Sequence, residues 1–524
     1  MTHPVSKRTY AITLFLILLV CYGYFMPKWA DWGANSRADL VYAIGDKGAL
    51  NIDDYHTNTG DKACFPGPFT ADPNNLTGGS CEGHFFTDKS IGPSLLALPF
   101  YMVFKAVASI PPIQNFIQSG RGLGALGDTL NPEGQGLRPN ALYEAMALTF
   151  VTFFASSVPS ALLGVIVFLM ACRFTSQPVH AFVVALIYGV GTIAFPYSGV
   201  LYQHQLAAFG LFVSFYLLWR VIYETANLRW LWAVGVLFSF AIITEYPVVP
   251  ALGILFLWAA YKMPNRLALY RVILAAIPLG LLFAAYNYAI FQTPMPVGYE
   301  YSTAWQDVHS VGFLSLTIPN PATLFGLTFS PFRGIFVLSP ALLLCIPGVF
   351  ILWRSARPYR SGLIAALLVV VFFFVYNSSS AMWWGGFTIG PRYLIPMLPF
   401  AALFMIGAVD RYAPTLTGRV GIGLLAALSV ANVWIQTISG QSFPPVTSPD
   451  MMNNPLFSYS LPLFQQGNIA RNYGIIAGLP GLLSLIPLIV ALALISWIVP
   501  RWLERREQSS SAPSVQQPTT GGLR

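Results

Sequence analysis

Two short runs hold the residue types that proton and phosphate chemistry needs: Asn35-Ser36-Arg37-Ala38-Asp39-Leu40 and Gly83-His84-Phe85-Phe86-Thr87-Asp88-Lys89-Ser90. Both lie between Met26 and about Leu142, a stretch with more than half of the chain's 20 acidic residues. Polar groups recur later at the ends of apolar segments. These are Tyr197, Tyr202, Gln203 and His204; Glu245 and Tyr246; Arg333 in the run Ser330 to Gly334; and Trp383, Trp384 and Arg392 in the run Trp383 to Tyr393. A carboxylate and several cations at a lipid–water boundary suit transfer of a group from a phosphate-bearing lipid. Lys or Arg stabilises the negative charge of the leaving phosphate, Arg through a bidentate fork. Asp or Glu supplies the general base that an acceptor hydroxyl requires. Aromatic rings with polar edges, here Trp383, Trp384, Tyr197 and Tyr202, suit sugar faces. Plainer roles stand beside these: interfacial Trp and Tyr anchor helices in a membrane, and a His at a helix start is commonly a hydrogen-bonded structural residue. Glu245 is harder to dismiss, because a carboxylate within a span costs about 2.5 kcal/mol or more unless paired or wetted.

The elements that must position these groups are membrane helices. The chain has 524 residues, 55% of them apolar and 9% charged, with a mean hydropathy of +0.61, outside the range of soluble domains. Twelve apolar segments, each near the roughly 20 residues a helical span needs, are expected at about 9–27, 143–171, 179–196, 205–223, 230–245, 247–263, 271–291, 335–353, 361–377, 393–410, 419–438 and 474–499. With the N-terminus inside, 16 of the 28 basic residues fall in inner loops and 16 of the 20 acids face out, as Lys and Arg resist translocation. The net charge of +8 is then a signature of topology, and no nucleic-acid partner is needed to explain it. Residues Pro93 to Ile110 are also apolar, but a thirteenth span would invert every later loop. They are expected to form a helix on the outer interface.

The expected division is a transmembrane domain over 1–499, with outer loops at 28–142, 292–334 and 439–473, and a disordered inner tail at 500–524. Pro111 to Pro139 reads as a surface loop. Asp46, Asp53, Asp54 and Asp72 read as a solvated face. Cys64 and Cys81 bracket a Pro/Gly/Asn-rich insert outside the cytoplasm, where a disulfide closing it would stabilise by about 3 kcal/mol; two unrelated thiols are the alternative. No zinc spacing, P-loop, dinucleotide fingerprint or H-E-x-x-H run is present, which argues against an ATP-driven pump.

The order of the runs resembles a known family. Ser36 to Leu40 (SRADL), Asn58 to Ala63 (NTGDKA), Gly83 to Pro99, Ser330 to Pro340 and Trp383 to Pro396 are similar to runs of the GT-C glycosyltransferases that use polyprenyl-phosphate sugars. That group includes protein O-mannosyltransferases, the lipid A aminoarabinose transferase and arabinofuranosyltransferases. The resemblance covers about residues 9 to 410. It implies an all-α polytopic GT-C bundle of about 12 transmembrane helices, with a long first periplasmic loop carrying interfacial helices.

It also implies roles. Asp39 is the first candidate for the base, followed by Asp61 and Asp88. Lys89 is the counterpart of a lysine that contacts the lipid phosphate, and Arg392 of basic residues near it. Arg37, Lys62, His84, His204, Glu245, Tyr246, Arg333, Trp383 and Trp384 complete the expected substrate-binding set. Where relatives open the first loop with an Asp-Glu pair, Asn35-Ser36 stands here. The expected activity is inverting transfer of a hexosyl or pentosyl group, mannosyl and arabinosyl among them, from a polyprenyl-phosphate donor to a hydroxyl of a glycan, lipid or protein. It would take place at the periplasmic face of a bacterial inner membrane, with both termini cytoplasmic. The charge set requires no cofactor, though a divalent metal is compatible with it. The rival is a transporter or flippase of a lipid-linked sugar, which calls for ionisable groups near mid-membrane and paired broken helices. A ligase using a lipid-diphosphate donor is a further alternative, against which the early long outer loop argues.

Overall fold

The computed structural model describes residues 6–27, 31–73, 75–119, 141–309, 311–312, 315–441 and 443–511. Each of the twelve expected apolar segments contains a helix. Seven of these are long and apolar enough to cross a membrane: Leu142–Ala171, His204–Tyr223, Arg266–Phe291, Arg357–Ser378, Arg392–Tyr412, Leu416–Ile438 and Gly481–Arg506. Helix α1 (Lys7–Gly23) and the helices Pro178–Val190, Trp230–Thr244, Tyr246–Lys262 and Pro340–Ser355 are shorter.

Burial sorts these helices into layers. Arg392–Tyr412 is 89% buried and forms the centre, where Phe400 meets Phe212 and Phe215 at ring distances of 4.9 and 5.3 Å. By contrast Arg266–Phe291 and Gly481–Arg506 are only 17% and 11% buried. They turn Leu281, Ile489 and Trp497 outward, a surface that lipid rather than water must cover.

The first outer loop opens with α2 (Trp32–Lys47). Asp31 caps it, its Oδ1 accepting from the backbone N–H groups of Gly33 and Ala34 at 3.1 and 3.4 Å. This satisfies donors that a helix start leaves open. Gly48, at φ 65°, ends it in the left-handed region that glycine tolerates.

The loop departs from the all-α expectation. It contains β1 (Lys62–Phe65), β2 (Phe69–Asp72), β3 (Asn75–Cys81) and β4 (His84–Thr87). β1 pairs with β4 in antiparallel register, Lys62 opposite Thr87, and β2 with β3. Pro66, Gly67 and Pro68 forbid a helix here, and the strands are too short to show a period. The Cys64–Cys81 disulfide is formed.

The segment expected at the interface is α3 (Gly92–Ala108), followed after a 93° bend by α4 (Pro111–Gln118). The bend prevents one straight span. α3 lies on α2: Tyr101 donates to Asp46 Oδ2 at 2.8 Å, and Lys105 pairs with Asp46 Oδ1 at 2.8 Å. So Asp46 holds α3 in place and is not merely part of a solvated face. Of the expected surface loop, 111–118 is helical and 120–139 lies outside the described residues. Of the expected disordered tail, 500–511 continues the last helix to Ser511, and 512–524 lies outside the described residues.

The expected outer loops meet at one end of the bundle. Ala63 bridges Ser302, Phe25 bridges Asn472, and Leu316 bridges Ser380. Expected inner groups meet elsewhere, with Arg173 on Glu224 and His180 on Asp410.

Candidate active site

At the end where the outer loops converge lies a cavity of about 250 Å³. Its walls come from the start of α2, Asp61 just before β1, Lys89 after β4, the turn before helix His204–Tyr223, and the outer loops near Trp305, Arg392 and Phe443. Four of the expected site residues line it: Arg37, Asp61, Lys89 and Arg392.

Lys89 sits between two carboxylates, 3.2 Å from Asp61 Oδ2 and 3.1 Å from Asp88 Oδ1. Asp88 stands behind it, its Oδ2 accepting from Ser302 Oγ at 2.8 Å. Asp61 Oδ1 accepts from Trp305 Nε1 at 2.7 Å, so both its oxygens are engaged. Burial opposes the charge on Lys89, but Asp61 and Asp88 carry its pKa above the usual value. Burial also works against ionised Asp61, yet Lys89 and the Trp305 hydrogen bond hold it below the carboxylate range. Asp88 goes the other way, raised by burial and by the Asp61 charge despite Lys89.

The guanidinium groups are different. Arg37, Arg333 and Arg392 are buried or nearly so, and among the described residues none has a carboxylate within 4.0 Å. Arg37 donates only to neutral oxygens, Gly33 O and Gln203 Oε1. Its Nε and that of Arg392 have no hydrogen-bond partner among the described residues. Both face the Tyr202 ring, the Arg37 guanidinium 5.4 Å and that of Arg392 5.2 Å from its centre. Burial pushes the Arg37 pKa down and takes Arg333 to about 10. A buried cation without a counter-charge is costly, so these groups favour an anion in the cavity. Arg333 stands behind the lining, donating through Nη2 to Gly386 O at 3.0 Å. Gly385 and Gly386, at φ +77° and +80°, let the backbone pass beside Arg392; a Cβ on Gly386 would stand 3.3 Å from Arg392 Nη2.

The other expected residues lie elsewhere. Asp39 is fully buried, outside the cavity lining, with Oδ1 accepting from Asn58 Nδ2 at 3.1 Å. Burial raises its pKa well above the carboxylate range and so favours its protonated form. Lys62 turns away from the cavity, 2.7 Å from Thr77 O and 2.8 Å from His56 Nδ1, over the Phe85 ring. Burial lowers its pKa to about 8. His84 is exposed and pairs with Asp53 at 2.6 Å. His204 and Glu245 form a buried pair at 2.9 Å behind Tyr197, Tyr202 and Tyr393, whose rings His204 meets edge-on. Tyr246 lines a separate, water-sized space of about 10 Å³ beside Asp88 and Lys89. Trp383 packs edge-on against Phe332, and neither it nor Trp384 lines the cavity. The aromatic lining comes instead from Trp32, Trp305, Phe387, Phe443 and four tyrosines, Tyr197, Tyr202, Tyr299 and Tyr393.

Asp31 is the charged lining residue that sequence reasoning passed over. Besides capping α2, its Oδ1 accepts from the Tyr202 hydroxyl. Its other oxygen has no partner among the described residues. An Asp just before a helical run is a capping signal, and that was the clue available. Among the described residues no three His, Cys, Asp or Glu side chains gather as a metal site.

No protein-family model and no curated protein matches the chain. Among solved structures it is similar to the crystal structure of ArnT from Cupriavidus metallidurans bound to undecaprenyl phosphate. The identity is 14% and the TM-score 0.44, over 94% of this chain and 72% of that one.

Proposed function

We propose that this chain is a membrane glycosyltransferase of the GT-C type, which moves a sugar from a polyprenyl-phosphate donor to an acceptor hydroxyl. The observation that carries this reading is the pair of guanidinium groups, Arg37 buried and Arg392 half-buried, with no carboxylate within 4.0 Å among the described residues, beside Asp31, one of whose oxygens has no partner among those residues. The order of sequence runs supports the same class. Among the described residues, the charged groups lining the cavity are three cations, Arg37, Lys89 and Arg392, and two carboxylates, Asp31 and Asp61.

The acceptor oxygen attacks the anomeric carbon as its proton passes to Asp31. The carbon–oxygen bond to phosphate breaks, and the electron pair leaves with polyprenyl phosphate. A single displacement inverts the anomeric centre. Arg37 and Arg392 stabilise the growing phosphate charge, while Asp61 and Asp88 fix the Lys89 ammonium at the cavity wall. The cavity end faces the periplasm in this reading, with both termini cytoplasmic, and the acceptor is a glycan, lipid or protein. Cations supply the charge stabilisation that a metal provides elsewhere, so activity in a chelator is expected.

Purified protein incubated with polyprenyl-phosphate sugars and membrane-extract acceptors should release polyprenyl phosphate. If it releases no more than an Arg392→Ala variant, the reading is wrong. Movement of the intact donor across vesicles without its cleavage would favour a flippase instead.

A further inference from the structure

Gln203, just before helix His204–Tyr223, lines the cavity and has no role in the chemistry above. Its Oε1 accepts from Arg37 Nη2. A guanidinium only donates, so the amide must turn its carbonyl toward Arg37 and its NH₂ group away. That Nε2 has no hydrogen-bond partner among the described residues. Arg37 Nη1 is likewise held by a neutral oxygen, Gly33 O. Both outer nitrogens of Arg37 are therefore held by neutral oxygens, and among the described residues no carboxylate pairs with it. A glutamate of the same shape at 203 would bind Arg37 more strongly and cancel its charge.

We propose that Gln203 is a positioning and specificity residue of the anion site: Oε1 orients Arg37 without neutralising it, and Nε2 donates to a phosphate oxygen held by Arg37 and Arg392. This rests on the reading of the cavity as the donor-phosphate site. The neutrality of the side chain is what separates this role from plain packing, because packing alone would tolerate Gln203→Glu.

The test compares binding of polyprenyl phosphate and uncharged polyprenol, in detergent micelles, to the wild type and to Gln203→Glu and Gln203→Met. Each protein's thermal unfolding is followed alongside. Gln203→Glu is expected to bind polyprenyl phosphate about tenfold or more weakly, with polyprenol binding unchanged. Gln203→Met is expected to fall between it and the wild type. The inference is overturned if the wild type prefers the phosphate and folded Gln203→Glu binds it equally well. Should Gln203→Glu fail to fold, Gln203→Met decides, and wild-type affinity there overturns it. If the wild type itself binds polyprenol as tightly as the phosphate, the donor-site reading falls and this inference with it.

Discussion

Replacing Asp31 by Asn separates its two jobs. The amide oxygen still accepts from Gly33 and Ala34 N–H and from Tyr202, the three contacts that now converge on Oδ1. Asn caps helices about as well as Asp, so the fold should change by about 0.5 kcal/mol or less. What disappears is the basic oxygen at the cavity. General-base catalysis contributes about 10²–10⁴-fold, so the turnover of Asp31→Asn should fall by that range, about 3–5 kcal/mol in the barrier. The donor KM should move little. Asp31→Ala loses the cap as well, about 1 kcal/mol of stability, and releases the Tyr202 hydroxyl. The assay is single-turnover release of polyprenyl phosphate from a saturating donor, read with thermal unfolding of each variant. Asp31→Asn retaining activity within about threefold, a change too small for loss of a base, would refute the assignment. If Asp61→Asn alone abolished turnover under the same conditions, the base would move to Asp61.

Three other perturbations follow from the same geometry. Lys89→Ala leaves Asp61 and Asp88 facing each other without their shared cation, and breaking such a buried pair costs about 3–5 kcal/mol; a melting temperature equal to wild type would contradict the ion triplet. Lys62 has a folded pKa lowered to about 8, against about 10.4 for an unfolded lysine. Between those values the unfolded chain binds more protons, so the unfolding free energy of the wild type should rise with pH relative to Lys62→Met, and a fall would count against the burial of that ammonium. Gly386→Ala places a Cβ at φ +80° and 3.3 Å from Arg392 Nη2; strain of about 1 kcal/mol and a displaced guanidinium should raise the donor KM, whereas an unchanged KM would free Arg392 of its phosphate role.

The helices were legible because a membrane span is a long uninterrupted signal. The runs around Arg37, Asp61, Lys89 and Arg392 were legible as clusters of charge in a greasy chain, and these four line the cavity. Direction was not. Arg37 and Asp39 are two apart on α2, a spacing that places them on nearly opposite faces of a helix. Arg37 therefore reaches the cavity and Asp39 the packed side against Asn58. Asp61 and Lys62 diverge in the same way, because successive side chains of an extended chain alternate. The tryptophans at 383 and 384 look like a sugar platform in sequence. The cavity is lined instead by Trp305, which donates to Asp61, 244 residues away in the chain. Such a pairing leaves no local pattern to read.

The cavity takes its walls from both Asp31 and Phe443, near opposite ends of the chain. A protein inserted into the membrane from its N-terminus would therefore possess its carboxylates and Arg37 long before it possesses a closed chamber. The nascent chain would have charged groups but no enclosed place to use them until the stretch from Thr437 to Phe443 arrives. The lining is complete only with Thr437, Gln441 and Phe443, so fragments that insert stably but stop short of residue 437 should be inert until the missing piece is supplied as a separate chain.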